Sequence, residues 1–310
     1  MLVISDSIHF AEQFTGGKDW DQAFEAWPEN LQQVLAKLFH HHQPVWSTSI
    51  QSNDWQFLLL SERAIHSQFD TLVEACLEGV EIPDRLVCHA GCGENFHGFK
   101  HRPWAALPGN IHLSLFFRPD APIGGFGVPF ILLGVVSVLQ TIDSFPELRK
   151  KAGVKWVNDI LIGSAKVCGV LVRVQTQGDQ TTSAVLGIGL NVKSRPQSVT
   201  SAFVSSATCL ADHADLGAGG SEGQVFQRLL KKLSQNYKLI LSGRTGDLLE
   251  IYRSRSIIIG KEVILHEDRS DDRLQPLATG RVVEIGNQLE LFLEGFDKPF
   301  VNGRIQFSGL

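Results

Sequence analysis

Several things are scarce in this sequence, and each scarcity excludes a class of protein. Basic charge is not in excess: 28 Lys and Arg stand against 33 Asp and Glu, a net charge of −5. A nucleic-acid reader needs the opposite sign to displace phosphate counterions, so this balance argues for no nucleic acid partner. The longest apolar run, 128–139, is interrupted by Pro129, Gly134 and Ser137. It falls short of the about 20 residues that span a bilayer, which predicts no membrane association. The opening Met1-Leu2-Val3-Ile4-Ser5-Asp6 has neither the basic start nor the apolar stretch of a secretory signal. The five cysteines (Cys76, Cys88, Cys92, Cys168, Cys209) are odd in number and scattered. That pattern predicts free thiols in a reducing compartment, hence a cytoplasmic protein. Gly and Pro, at 29 and 12, are ordinary, which excludes collagen-like and low-complexity chains. No period of about 20–50 residues recurs, which excludes solenoids and propellers.

What remains is a chain of 310 residues, 43% hydrophobic, long enough for about two cores. Its charge is uneven. Residues 1–55 hold two bases and seven acids, so they carry the whole −5 and read as a separate acidic extension of unknown fold. Within them, Leu31, Val34, Leu35, Leu38 and Phe39 form a helical stripe, and His40-His41-His42 reads as its solvated C-terminus. Residues 56–255 alternate strand and helix patterns. Asp70 is the expected N-cap of one helix, and 124–142 is an apolar helix weakened by Pro129. Gly163-Ser164 suits a two-residue hairpin turn. Residues 256–310 hold four short strand patterns, the texture of a small barrel. The layout is α+β.

At Lys155-Trp156-Val157-Asn158-Asp159 the sequence resembles the KWPND motif of biotin protein ligases. Lys166-Val167-Cys168-Gly169-Val170-Leu171-Val172 is similar to the family's K-L-A-G-I-L-V strand. Gly187-Ile188-Gly189-Leu190-Asn191-Val192 is similar to its G-I-G-I-N-V strand. Trp104, followed by Pro108-Gly109-Asn110-Ile111-His112-Leu113-Ser114, resembles W-x-S-P-P-G-N-L-Y-L-S. The resemblance implies a class II synthetase-like mixed sheet with flanking helices and a small C-terminal SH3-like β-barrel. It also implies a ligase that uses ATP and Mg2+ to join biotin to AMP and then to a lysine of a biotin carboxyl-carrier protein. A homodimer is a further possibility it allows.

Such chemistry brings two anions together, so the site must neutralise them and hold a carboxylate oxygen in line with the α-phosphorus. By resemblance, Lys166 contacts both groups, and Asp159 meets the nucleotide and Mg2+. Asn191 has a similar role. Gly169 and Gly187 line the ring pocket, and Trp104 forms its wall. Lys155, Trp156 and Asn158 of the motif complete the binding set, with Ser67, Gln68, Cys88 and Gly91 placed by position. The family's G-R-G-R-R-G-R-x-W loop orders over the bound acid and adenylate. Here that loop is poor in arginine. Counted from Gly91, Cys92 and Glu94 replace arginines. Counted back from Trp104, only Arg102 aligns, with His97, Lys100 and His101 as weaker sources of charge. The set Cys88, His89, Cys92, His97 and His101 also has metal-ligand types, though its spacing is too short for a usual zinc site. Three readings stay open: a biotin ligase, a ligase or transferase for lipoate or octanoate, and a non-catalytic homologue that binds a ligand or carrier.

Overall fold

Successive side chains of a strand point to opposite faces, and in this protein each face of the main sheet has its own apolar cluster. The computed structural model describes residues 1–16, 19–22, 27–39, 44–197, 203, 206–217, 220–269 and 274–308. The histidine run 40–42 lies outside them. The chain opens with β1 (Leu2–Ser5), α1 (Ile8–Thr15), α2 (Glu29–Leu38) and β2 (Trp46–Ser49). β3 (Phe57–Ala64), α3 (Gln68–Leu77), β4 (Leu86–Gly93) and β5 (Ile111–Phe117) follow. β1 lies parallel to β3, with Leu2 opposite Phe57 and Ser5 opposite Leu60, and β2 pairs antiparallel on its outer side. The acidic extension is therefore not structurally separate. Leu2, Val3 and Ile4 are better strand formers than the charge count suggests, and they join the main sheet.

α4 (Val128–Ile142) starts later than the expected helix 124–142, and Pro129 fits its first turn, where a missing N–H has no helical partner to lose. It is buried on nearly every side. β6 (Ala152–Lys155), β7 (Asp159–Ile162), β8 (Ala165–Gln177) and β9 (Gln180–Leu190) form the motif-bearing half of the sheet. Gly163 turns between β7 and β8 at φ 61°, as the hairpin pattern predicts. With β10 (Ser206–Ala207) beside β8, the main sheet has ten strands among the described residues, and its path is β2-β1-β3-β4-β5-β9-β8-β7-β6. β1, β3 and β4 run parallel, and the other ladders on that path are antiparallel.

α5 (Glu222–Leu241) and α6 (Thr245–Ser254) pack with α1 and α4 over one face, which receives Leu58, Leu60, Leu113, Leu115 and Phe117. α2 and α3 cover the other face, which receives Leu59, Cys88, Phe116 and Val185. No helix among the described residues is long and apolar enough to cross a membrane.

β11 (Glu262–His266), β12 (Pro276–Ile285), β13 (Leu291–Leu293) and β14 (Arg304–Phe307) make a second, antiparallel sheet in the order β13-β12-β11-β14. No ladder joins β13 to β14 among the described residues, so the expected barrel is an open four-stranded sheet. Val263, Leu265 and Val282 join the larger apolar cluster. Trp156 donates its indole N–H to Leu289 O at 2.7 Å, which ties this sheet to the β6–β7 turn.

Candidate active site

The alternation that fills the core also makes the floor of a pocket. His112 and Ser114 point to the same face of β5 as the core residue Phe116. Gly187 and Gly189 share a face of β9 with Val185. α3 covers only the core end of this face. At the open end, His112, Ser114, Gly169, Gly187 and Gly189 line a pocket of about 100 Å³, roofed by Phe96, His97, Phe99 and Trp104 and flanked by Phe69. The bare glycines are needed. A Cβ on Gly187 would stand 2.9 Å from the Phe69 ring, and one on Gly189 would stand 2.5 Å from Trp104.

Trp104 is held from two sides. Its indole N–H donates to His112 Nδ1 at 3.4 Å, and the other ring nitrogen of His112 faces Leu107 O at 3.0 Å. Burial pushes the His112 pKa down to about 4, so the ring stays neutral and keeps the acceptor that Trp104 uses. Lys166 Nζ lies 5.7 Å from the Trp104 ring centroid and pairs with Asp159 at 2.6 Å. Asp159 reaches this point because it opens β7 directly opposite Gly169 on β8.

Beyond Lys166 the pocket meets a larger cleft of about 870 Å³. Arg102, Trp104, Asn158, Asp159 and Lys166 border both spaces. Lys155, Trp156, Asn191 and Arg304 border the cleft alone. Burial lowers the Lys155 pKa to about 8, against the pull of Asp159. Its ammonium donates to Phe203 O and stands 5.5 Å from the Phe307 ring centroid. Two of the expected ligand-binding amides are at least partly engaged in structure. Asn158 donates to Val170 O at 2.5 Å, and Asn191 donates to Thr208 O at 3.0 Å.

The structure thus brings Ser67, Arg102, Trp104, Lys155, Trp156, Asn158, Asp159, Lys166, Gly169, Gly187 and Asn191 to these two adjoining spaces. Gln68, Cys88 and Gly91 border neither. Cys88 points into the core under α3, where burial pushes its thiol up. Gly91 lies against Phe10 of α1. Gln68 is buried, and both polar atoms of its amide lack a hydrogen-bond partner among the described residues. β4 runs on to Gly93, so positions counted as loop are strand and alternate in direction. That alternation also breaks the metal-ligand set. Cys88 faces one side, while His89 faces the other and meets Glu222 at 3.1 Å. Among the described residues, no three His, Cys, Asp or Glu gather as a metal site. Asp70 is not the N-cap. It sits in the first turn of α3 after Ser67 and meets His97 at 2.7 Å.

Phe69, His112, Ser114 and Asp268 are pocket or cleft residues absent from the predicted set. The parity of β5 could have found His112 and Ser114. Asp268, which meets Arg102 across 166 positions of chain, had no local signal.

Residues 95–191 match the biotin/lipoate A/B protein ligase family. Over 164 residues the chain is 29% identical to a bifunctional ligase/repressor BirA of Bacillus subtilis, covering 53% of this chain and 49% of that protein. Over 184 residues it is 33% identical to a biotin–[acetyl-CoA-carboxylase] ligase of Mycobacterium tuberculosis, covering 56% of this chain and 61% of that one. The chain therefore spans about half to three-fifths of the curated relatives it matches. Its fold is similar to that of a biotin protein ligase from Aquifex aeolicus in complex with biotin and ATP. The TM-score is 0.62 at 19% identity, over 81% of this chain and 98% of that one.

Proposed function

From the match of residues 95–191 to the biotin/lipoate A/B protein ligase family and the likeness to curated ligases, we propose that this protein is an ATP-dependent biotin protein ligase. The observation that carries the reading is the Lys166–Asp159 pair at the junction of a narrow pocket and a wider, lysine-bordered cleft. An acid with a compact ring fits the pocket, and a nucleotide fits the cleft, so the carboxylate and the α-phosphate meet at Lys166.

In the first step a carboxylate oxygen attacks the α-phosphorus, the bond to the β-phosphate oxygen breaks, and pyrophosphate leaves. Lys166 neutralises the two anions as they approach and the charge that develops between them. Lys155 and Arg102 add positive charge along the cleft. Asp159 offers one carboxylate, a donor set that Mg2+ accepts when phosphate oxygens complete its shell. There the ion would supply charge neutralisation. In the second step a carrier lysine amine attacks the acyl carbon, the bond to AMP oxygen breaks, and the amine loses a proton. The acceptor is a biotin carboxyl-carrier domain.

The same reading assigns residues 56–255 to the catalytic body and 256–310 to an SH3-like unit, with 1–55 as an addition to the body, and places the protein in the cytoplasm. One observation favours a second substrate. Phe69 lies on Gly187 and gives the pocket an apolar flank, an arrangement that suits a less polar acid such as lipoate or octanoate. Mass spectrometry of adenylate formed from biotin, lipoate or octanoate with MgATP tests both readings. Biotinyl-AMP from the wild type, and its loss by more than about 100-fold in Lys166→Ala, supports the proposal. Adenylate from octanoate or lipoate alone moves the assignment to the second reading. Ligand binding without any adenylate, or normal rates in Lys166→Ala, overturns the mechanism.

A further inference from the structure

Residues 94–104 contain three non-glycine residues in the left-handed region: Asn95 at φ 55°, Lys100 at 54° and His101 at 57°. L-residues resist that backbone, so the loop needs ties from outside to keep its shape. The ties on its basic residues are carboxylates from other elements. Asp70 of α3 meets His97 Nε2 at 2.7 Å. Asp268, which follows β11 in the second sheet, takes Lys100 and Arg102. Its Oδ1 lies 3.2 Å from Arg102 Nη1 and its Oδ2 lies 3.9 Å from Lys100 Nζ. Lys100 also donates to the backbone carbonyl of Asp268. The Asp268 side chain is 9% exposed and borders the larger cleft beside Arg102.

We infer that Asp268 is a positioning residue: the second sheet lends a carboxylate that holds the roof of the site in its closed shape before ligand arrives. This rests on the ligase reading above. Two effects of Asp268 oppose each other. Its charge competes with phosphate for Arg102 and Lys100, which would weaken nucleotide binding. Its tie keeps the loop ordered, which spares the ligand that ordering. Arg102 and Lys100 keep 30% and 39% exposure, so solvent screens the first effect. Backbone ordering is not screened and grows with each residue fixed. The tie therefore prevails. Arg102 meets Asp268 through Nη1, and its guanidinium carries further N–H donors that can turn to an anion.

The test uses the full chain with Asp268→Asn, which keeps the shape and removes the charge, and Asp268→Glu, which restores the charge. Trypsin is added to ligand-free protein, and cleavage between Lys100 and His101 is timed by mass spectrometry. The Arg102–Pro103 bond resists trypsin, so the signal is local. Cleavage about tenfold faster in Asp268→Asn, and near wild type in Asp268→Glu, is expected. In adenylation assays Asp268→Asn should raise KM for ATP about tenfold, change kcat by less than about threefold, and release more adenylate to solvent. Unchanged cleavage, or a KM that falls, overturns the inference. If the wild type makes no adenylate from any acid, the ligase reading fails, and the closed roof is then judged on cleavage alone.

Discussion

A methyl group at Gly189 should disable the pocket while leaving the fold nearly intact. Its carbon would stand 2.5 Å from Trp104 Cε2 and Cζ2 and 2.9 Å from Nε1, where ordinary contact begins at 3.4 Å. The indole must therefore retreat by about 1 Å. Trp104 is half-buried on a loop, so it can move toward solvent without shifting β9. Retreat breaks its hydrogen bond to His112, worth about 1 kcal/mol, and draws it away from Lys166. Overpacking adds about 1–3 kcal/mol, part of which is relieved as the ring moves. The residual penalty falls on the bound state, so affinity for the acid should drop about 10–100-fold by isothermal titration. Alanine is no worse than glycine inside a strand, so Tm should fall by only a few degrees. Gly189→Ala combined with Trp104→Phe should recover part of the affinity, because the smaller ring leaves room for the methyl group. Wild-type affinity in Gly189→Ala, or a Tm loss above about 10 °C, would refute the reasoning.

Two further expectations concern buried charge. Burial raises the Asp6 pKa to about 6, with Glu62 adding repulsion and the Glu62 N–H opposing the rise. The folded state therefore binds this proton more tightly than the unfolded state, and stability falls as pH rises from about 4 to about 6. Asp6→Asn keeps the acceptor for the Glu62 N–H. Denaturant unfolding should find it about 2 kcal/mol more stable at pH 8, with no gain below about pH 4. A gain that is constant with pH would assign the effect to packing. Glu222 starts α5 and meets the fully buried His89, whose ring lies among Phe10, Phe14 and Phe226. Glu222→Ala leaves a buried ring nitrogen of that histidine without its carboxylate partner and should destabilise by about 2 kcal/mol. A change below about 1 kcal/mol in urea unfolding would mean the pair contributes little.

The hairpins that line the candidate site were readable because their signals are local. Lys155 to Asp159, the Gly163 turn and Gly169 of β8 follow one another closely, Gly187 and Gly189 lie on β9, the next strand, and strand pairing brings them together. The roof loop was harder. Counting residues from Gly91 treats 91–93 as loop, yet β4 continues through Gly93, and alternation sends Cys88 and Gly91 away from the pocket. Charge misled at the N-terminus, because Leu2–Ser5 pairs through backbone groups that net charge does not report. Asp268 could not be read at all, since its partnership with Arg102 exists only once the two sheets are assembled.

β5 and β9 line the candidate pocket and fill the core with alternate residues. His112 and Ser114 border the pocket, while Leu113 and Leu115 pack in the core with α4. Ligand preference can therefore drift by substitution at one set of positions without touching the other. A one-residue insertion within β5 allows no such independence. It would carry leucines into the pocket and bury a histidine and a serine under α4. These strands should accept new side chains readily and frame shifts hardly at all, which makes the site easy to retune and hard to lengthen.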